Sequence, residues 1–89
     1  MRVDTLGVIG AGQMGAGIAQ VAAQADVDVL LYDVIDGAAR KGREGIERNL
    51  ARLVERGRFK SEERDRVMSR IREVATLDEV HEVDFVVEA

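Results

Sequence analysis

Val8-Ile9-Gly10-Ala11-Gly12-Gln13-Met14-Gly15, with Leu31-Tyr32-Asp33 closing a second apolar run, is the stretch that decides the fold. It is a G-x-G-x-x-G, a weak pattern on its own because glycine is common. Its context strengthens it. A strand-like run, Val3 to Ile9, precedes it, a helical pattern follows, and an acid ends the next strand 18 residues after Gly15. Each glycine has a physical task. Gly10 permits the tight turn out of the strand, Gly12 lets a pyrophosphate approach the backbone, and Gly15 lets the helix pack close to the sheet. The free N–H groups at the helix start then face the phosphates at the positive end of the helix dipole, and Ala11, Gln13 and Met14 join the three glycines as expected cofactor contacts. Asp33 is placed to accept hydrogen bonds from the adenosine ribose, and its charge repels a 2′-phosphate, so the expected cofactor is NAD rather than NADP. The plainer alternative, a glycine-rich turn with Asp33 as a strand terminator, does not explain the order and spacing together.

Outward from the motif, Gln13 to Ala25 reads as a helix whose apolar stripe is Met14, Ile18, Val21, Ala22 and Ala25. Val27 to Tyr32 is the second strand. Asp36 is the expected N-cap of a long helix reaching about Arg56, with Gly57 as its stop. Ser61 is expected to cap a second helix with Val67, Met68 and Ile71 inward. Ile71 to Thr76 reads as a third strand, Asp78 to Val83 as a short helical turn, and Asp84 to Ala89 as a fourth strand. Strand–helix–strand units of this kind form parallel sheets with right-handed crossovers. The expected fold class is therefore α/β: a Rossmann-like parallel sheet of order 3-2-1-4 with a helical hairpin between strands 2 and 3. It is the first half of a doubly wound fold, with residues 1–89 as one NAD-binding domain.

Composition narrows the partners. The net charge of −4 argues against nucleic acid, no run approaches the ~20 apolar residues of a membrane helix, and no secretory leader is visible. The chain has no cysteine, so disulfides and thiolate metal sites are excluded, and no metal site is expected. A cytoplasmic location follows as the default. The charge is unevenly spread. Between Arg40 and Lys60 eight basic residues face three acids, leaving that segment at +5 and the remainder at −9. A solvated helix face explains this; so does a seat for a polyanionic small molecule.

The chain resembles the N-terminal, NAD-binding domain of the L-3-hydroxyacyl-CoA dehydrogenase family, which includes 3-hydroxybutyryl-CoA dehydrogenases. The residues that carry the resemblance run from Val8 to Ala19, then Leu31-Tyr32-Asp33, Asn49 to Gly57, Ser61 to Asp65, and Asp84 to Ala89. The hairpin is the most specific part. The resemblance implies oxidation of an L-3-hydroxyacyl-CoA to a 3-ketoacyl-CoA, with hydride passing to NAD. It implies CoA contacts at Asn49 and Arg56, where relatives carry serine and lysine, and adds Ala89 to the cofactor-contacting set. The family's catalytic histidine and its partners match nothing here, so no catalytic residue is expected in this chain. His81 reads as a surface residue in a charged turn. Asp26 stands where the family usually has a glycine in a left-handed conformation. The resemblance also implies a C-terminal catalytic and dimerisation domain beyond Ala89. Without it the strand of residues 84–89 is an apolar edge, expected to self-associate. Two rivals stand beside this reading: a non-catalytic NAD-binding module, and an NAD-dependent dehydrogenase of another substrate class.

Overall fold

The computed structural model describes residues 3–89. The elements in order are β1 (Thr5–Ile9), α1 (Gln13–Gln24), β2 (Asp28–Tyr32), α2 (Ala38–Glu55), α3 (Ser61–Ser69), β3 (Ile71–Glu73), α4 (Leu77–Val80) and β4 (Phe85–Glu88). The four strands form one parallel sheet of order β3-β2-β1-β4, as expected. β1 runs beside β2 with Thr5 opposite Asp28 and Ile9 opposite Tyr32, and beside β4 with Leu6 opposite Phe85. The register brings the ends of β1, β2 and β4 level, so Gly10, Asp33 and Ala89 meet at one edge of the sheet.

Alternation along the strands divides the two faces. Val8, Val29, Leu31 and Ile71 point to the face covered by α1, α2 and α3, and join Ala19, Ala23, Ile46, Leu50, Val67 and Met68 in one core. Gly7 points the other way, against Val80 of α4. The stripe expected on α1 holds in part: Ile18 and Ala22 pack against the core, but the centre of the buried face lies elsewhere. Met14 is 70% exposed and Val21 67%, while Gly15, Ala19 and Ala23 are buried. The helix turns its smallest residues to the sheet, because only those allow its axis to approach β1 so closely.

The hairpin of α2 and α3 is held by specific contacts. Gly57, with φ +71°, ends α2 in a Schellman motif: its N–H donates to Val54 O and that of Arg58 to Leu53 O, at 3.0 and 2.8 Å. The Arg43 guanidinium donates to Ile71 O and Met68 O, at 2.9 and 3.0 Å, pinning α2 to the junction of α3 and β3. Asp26 takes the left-handed conformation, φ +66°. Its carboxylate pairs with Arg66 and Arg70, and Arg70 also reaches Asp28 at 3.0 Å. These exposed pairs offset part of the cost of a non-glycine residue there.

Three helix caps differ from expectation. The N-cap of α2 is Gly37 rather than Asp36, because the Asp33 carboxylate accepts the Ile35 N–H and extends the turn before the helix. The N-cap of α3 is Lys60 rather than Ser61; its N–H donates to Glu63 Oε1 at 3.4 Å. Thr76 does not belong to β3. Its hydroxyl accepts the Glu79 N–H and caps α4, which shortens the strand to three residues. Ile71 accordingly begins β3 and is not part of the α3 face.

Candidate functional site

The glycine loop leaves β1 at Gly10, whose φ of +105° suits glycine and whose N–H donates to Tyr32 O at 2.8 Å. A Cβ at Gly10 would lie 2.8 Å from Ala89 O, and one at Gly15 only 1.7 Å from Gly10 O. A Cβ at Gly12 would meet nothing within 4 Å. Two glycines are thus required by the protein's own packing, and the middle one borders open space. Gly12 is also the N-cap of α1, where no side chain supplies a cap. The first-turn N–H groups of such a helix lack intrahelical partners. An anionic group fits there: open approach, free donors and the positive end of a 12-residue helix dipole.

Asp33 sits beside this loop. Its Oδ2 accepts the Ala11 N–H and its Oδ1 the Ile35 N–H, both at 2.8 Å. These bonds, Ala11 first, hold its carboxyl below the ordinary value of 3.8. The folded form therefore favours the charged carboxylate. That contribution to stability is complete above the ordinary carboxylate range and is lost as pH falls through the lowered folded value.

The structure sorts the residues expected at the cofactor. Gly12 and the start of α1 at Gln13 and Met14 face solvent at the loop, with Met14 well exposed. Ala11 is buried, its N–H already taken by Asp33 and its carbonyl packed against Gly42 of α2. Ala89 lies over Gly10 and Gly15, with its N–H donated to Ile9 O. Sequence reasoning missed a cleft of about 450 Å³ beyond Asp33, walled by Ile35, Arg40, Glu73, Val74 and Ala75. The sheet order alone would have found it, since β3 beside β2 puts the residues after Glu73 next to Asp33.

A second cleft, about 370 Å³, runs from the loop along the groove between α1 and α2. Gln13, Gly17 and Gln20 form one wall; Lys41, Arg48, Asn49 and Arg52 form the other. No acid lines it. Asn49 Oδ1 accepts from Arg52 Nη1 at 3.2 Å. Arg56 lies outside the groove as the exposed C-cap of α2, seven residues past Asn49 and so about 10 Å along the same helix face. Lys41, Arg48 and Arg52 were legible only as part of the basic segment. His81 is the exposed C-cap of α4. Among the described residues no cluster of metal-ligating side chains occurs, and no helix is long and apolar enough to cross a membrane.

A parallel 3-2-1-4 sheet with a glycine loop at the start of its first helix and an acid at the end of its second strand defines a dinucleotide-binding domain of the dehydrogenase type. Comparison with known proteins makes this particular. The family described as 3-hydroxyacyl-CoA dehydrogenase, NAD binding domain, matches residues 5–89, and the chain belongs to that family. It is 43% identical over 89 residues to a probable 3-hydroxybutyryl-CoA dehydrogenase of Bacillus subtilis, covering 100% of this chain and 31% of that protein. It is 39% identical to a 3-hydroxyadipyl-CoA dehydrogenase of Escherichia coli, covering 100% of this chain and 19% of that one. The crystal structure of (S)-3-hydroxybutyryl-CoA dehydrogenase from Ralstonia eutropha superposes with a TM-score of 0.93 at 32% identity, covering 99% of this chain and 31% of that one. The chain thus spans about a third or less of the length of these relatives. NAD is the family's cofactor, and the loop geometry fits it.

Proposed function

We propose that the protein carrying this domain oxidises an L-3-hydroxyacyl-CoA to a 3-ketoacyl-CoA, and that this chain supplies the NAD site and one wall of the CoA seat. NAD, when bound, supplies the hydride acceptor. The chain's own residues bind and orient. Gly12 and the first turn of α1 receive the pyrophosphate, Asp33 receives the adenosine ribose, and the cleft bounded by Ile35 and Ala75 receives the adenine. The acid–base pair that takes the hydroxyl proton is contributed by residues outside this chain. A cytoplasmic location is part of the same proposal.

The observation that carries the substrate reading is the α1–α2 groove: three cations, no acid, and an opening onto the glycine loop. Acyl-CoA brings phosphates to be held beside the dinucleotide, and this groove is the basic channel that meets the cofactor site. Asn49 lies in it and Arg56 extends its charged face. In the full-length protein, Arg52→Glu and Arg56→Glu should each raise the Michaelis constant for acyl-CoA by about 10- to 100-fold, the scale of one charged hydrogen bond lost. In Arg56→Glu, NAD affinity should stay within about twofold, because Arg56 lies outside the groove that opens onto the loop. Steady-state kinetics with 3-hydroxybutyryl-CoA reads both. Unchanged constants would return these residues to a solvated helix face, and absence of turnover in the parent protein would favour a dehydrogenase of another substrate class or a non-catalytic NAD-binding module.

The edge of β4 supports a second, smaller proposal. Its outer side pairs with no strand among the described residues, and Phe85 is 52% exposed on it. Such an edge recruits a further strand, from the same protein or another copy. The isolated 89-residue chain should therefore sediment as a self-associating species, and Val86→Lys should shift it towards monomer. A monomer at high concentration, unchanged by Val86→Lys, would remove the proposal.

A further inference from the structure

We infer that Asp33 is a positioning residue for the glycine loop, holding it in the shape that receives the pyrophosphate, in addition to facing the ribose. The inference rests on the NAD reading above for its second half and on the loop's hydrogen bonds for its first.

The loop's donors divide into two groups. Gly10 gives its N–H to Tyr32 O and Ala11 gives its N–H to Asp33 Oδ2, each at 2.8 Å. Two consecutive loop residues are thus fastened to two consecutive residues at the end of β2. Gly12 and the first turn of α1 remain to face a ligand. Ala11 is only 6% exposed and its N–H is held by Asp33 in a part-buried bond, so removing the carboxylate takes away the acceptor that fixes this peptide. A buried donor without a partner is costly, and the peptide would rotate to find one. The next peptide begins at Gly12, so such a rotation re-aims the donors that meet the phosphate.

The carboxylate has the capacity for both tasks. Two oxygens offer about four acceptor directions. Ala11 and Ile35 use two of them, which leaves two for the two hydroxyls of a ribose. The same two backbone donors keep the group ionised, so both tasks use a charge-assisted bond. The consequence is a linkage: exchanging Asp33 to admit a 2′-phosphate also loosens the pyrophosphate loop, so the gain for NADP is accompanied by a loss common to both dinucleotides.

A binding cycle on the full-length protein separates the two tasks. The probes are NAD and an NAD analogue whose adenosine lacks both ribose hydroxyls, titrated calorimetrically against the parent, Asp33→Ala and Asp33→Asn. A residue that only reads the ribose has no effect on the hydroxyl-free analogue. A residue that also positions the loop weakens the analogue as well, by about tenfold or more in Asp33→Ala. Hydrogen exchange of the Ala11 amide without ligand gives an independent readout: it should accelerate by about tenfold or more in the variant, while the amides of β1 and β2 keep the parent rate and exclude global loosening. Asp33→Asn keeps the size and one acceptor, and serves if Asp33→Ala does not fold. Equal affinity of parent and variant for the analogue overturns the inference, whatever the Ala11 rate. If the parent binds NAD and the analogue equally, the ribose reading falls, and the positioning role is still decided by whether Asp33→Ala weakens the analogue.

Discussion

Gly12→Ala should keep the fold and lose the cofactor. The backbone at Gly12 is extended, φ −70° and ψ −167°, a conformation open to any residue. Its new methyl would meet no atom of the protein within 4 Å. Two small effects act on stability in opposite directions. Alanine is a poorer N-cap than glycine, and it removes chain entropy from the unfolded state. Their sum should stay within about 1 kcal/mol. Binding is different, because on the proposed reading the open space beside Gly12 is where the pyrophosphate approaches the backbone. A methyl there holds the phosphate away from the first-turn donors of α1. NAD affinity should fall by about 100-fold or more, roughly 2.7 kcal/mol. Calorimetric titration beside a thermal melt checks both halves. A variant that melts with the parent and binds NAD as tightly would show that the pyrophosphate does not use this loop.

Gly12 also marks what a sequence can reveal. Its place at the start of α1 follows from spacing, because a motif that turns from strand to helix needs its glycines at fixed offsets. The sheet order, the hairpin and the Gly57 stop were legible for the same reason: each follows from local chemistry or connectivity. The centre of α1's buried face was not, although Ile18 and Ala22 of the expected stripe do pack against the core. Periodicity weighted by side-chain size points to Met14 and Val21, yet the buried face is Gly15, Ala19 and Ala23. Close approach to a sheet selects small residues, and small residues leave a faint apolar signal. Gly37 and Thr76 escaped for a related reason. Each cap depends on where the preceding turn delivers the chain, and at Gly37 that turn is fixed by a bond from Ile35 to Asp33. The anchoring of Ala11 by Asp33 joins residues 22 apart, and no single segment displays it.

Gly15→Ala should have the opposite signature to Gly12→Ala, with the fold failing first. The added Cβ would sit 1.7 Å from Gly10 O and 2.7 Å from Gly10 C. Both are backbone atoms of a loop already held by Tyr32 and Asp33, so no flexible side chain can give way. An ordinary contact needs more than 3 Å, so α1 must withdraw by more than 1 Å. That withdrawal is not local. Ala19 and Ala23 follow Gly15 at intervals of four on the same helix face, and both are fully buried in the core. Moving the helix thins their contacts as well, in a domain too small to have much core to spare. Overpacking of this kind costs about 3 kcal/mol or more when backbone must shift. For a chain this short, that lowers the melting temperature by on the order of 10–20 °C. Gly17→Ala is the matched control, two residues along the same helix. Its Cβ would meet nothing within 4 Å, so the change should stabilise by about 0.5–1 kcal/mol through helix propensity. Thermal melts of the three proteins should order Gly15→Ala lowest, the parent next and Gly17→Ala highest. A Gly15→Ala protein that melts with the parent would mean that α1 does not approach Gly10 as closely as the fold requires.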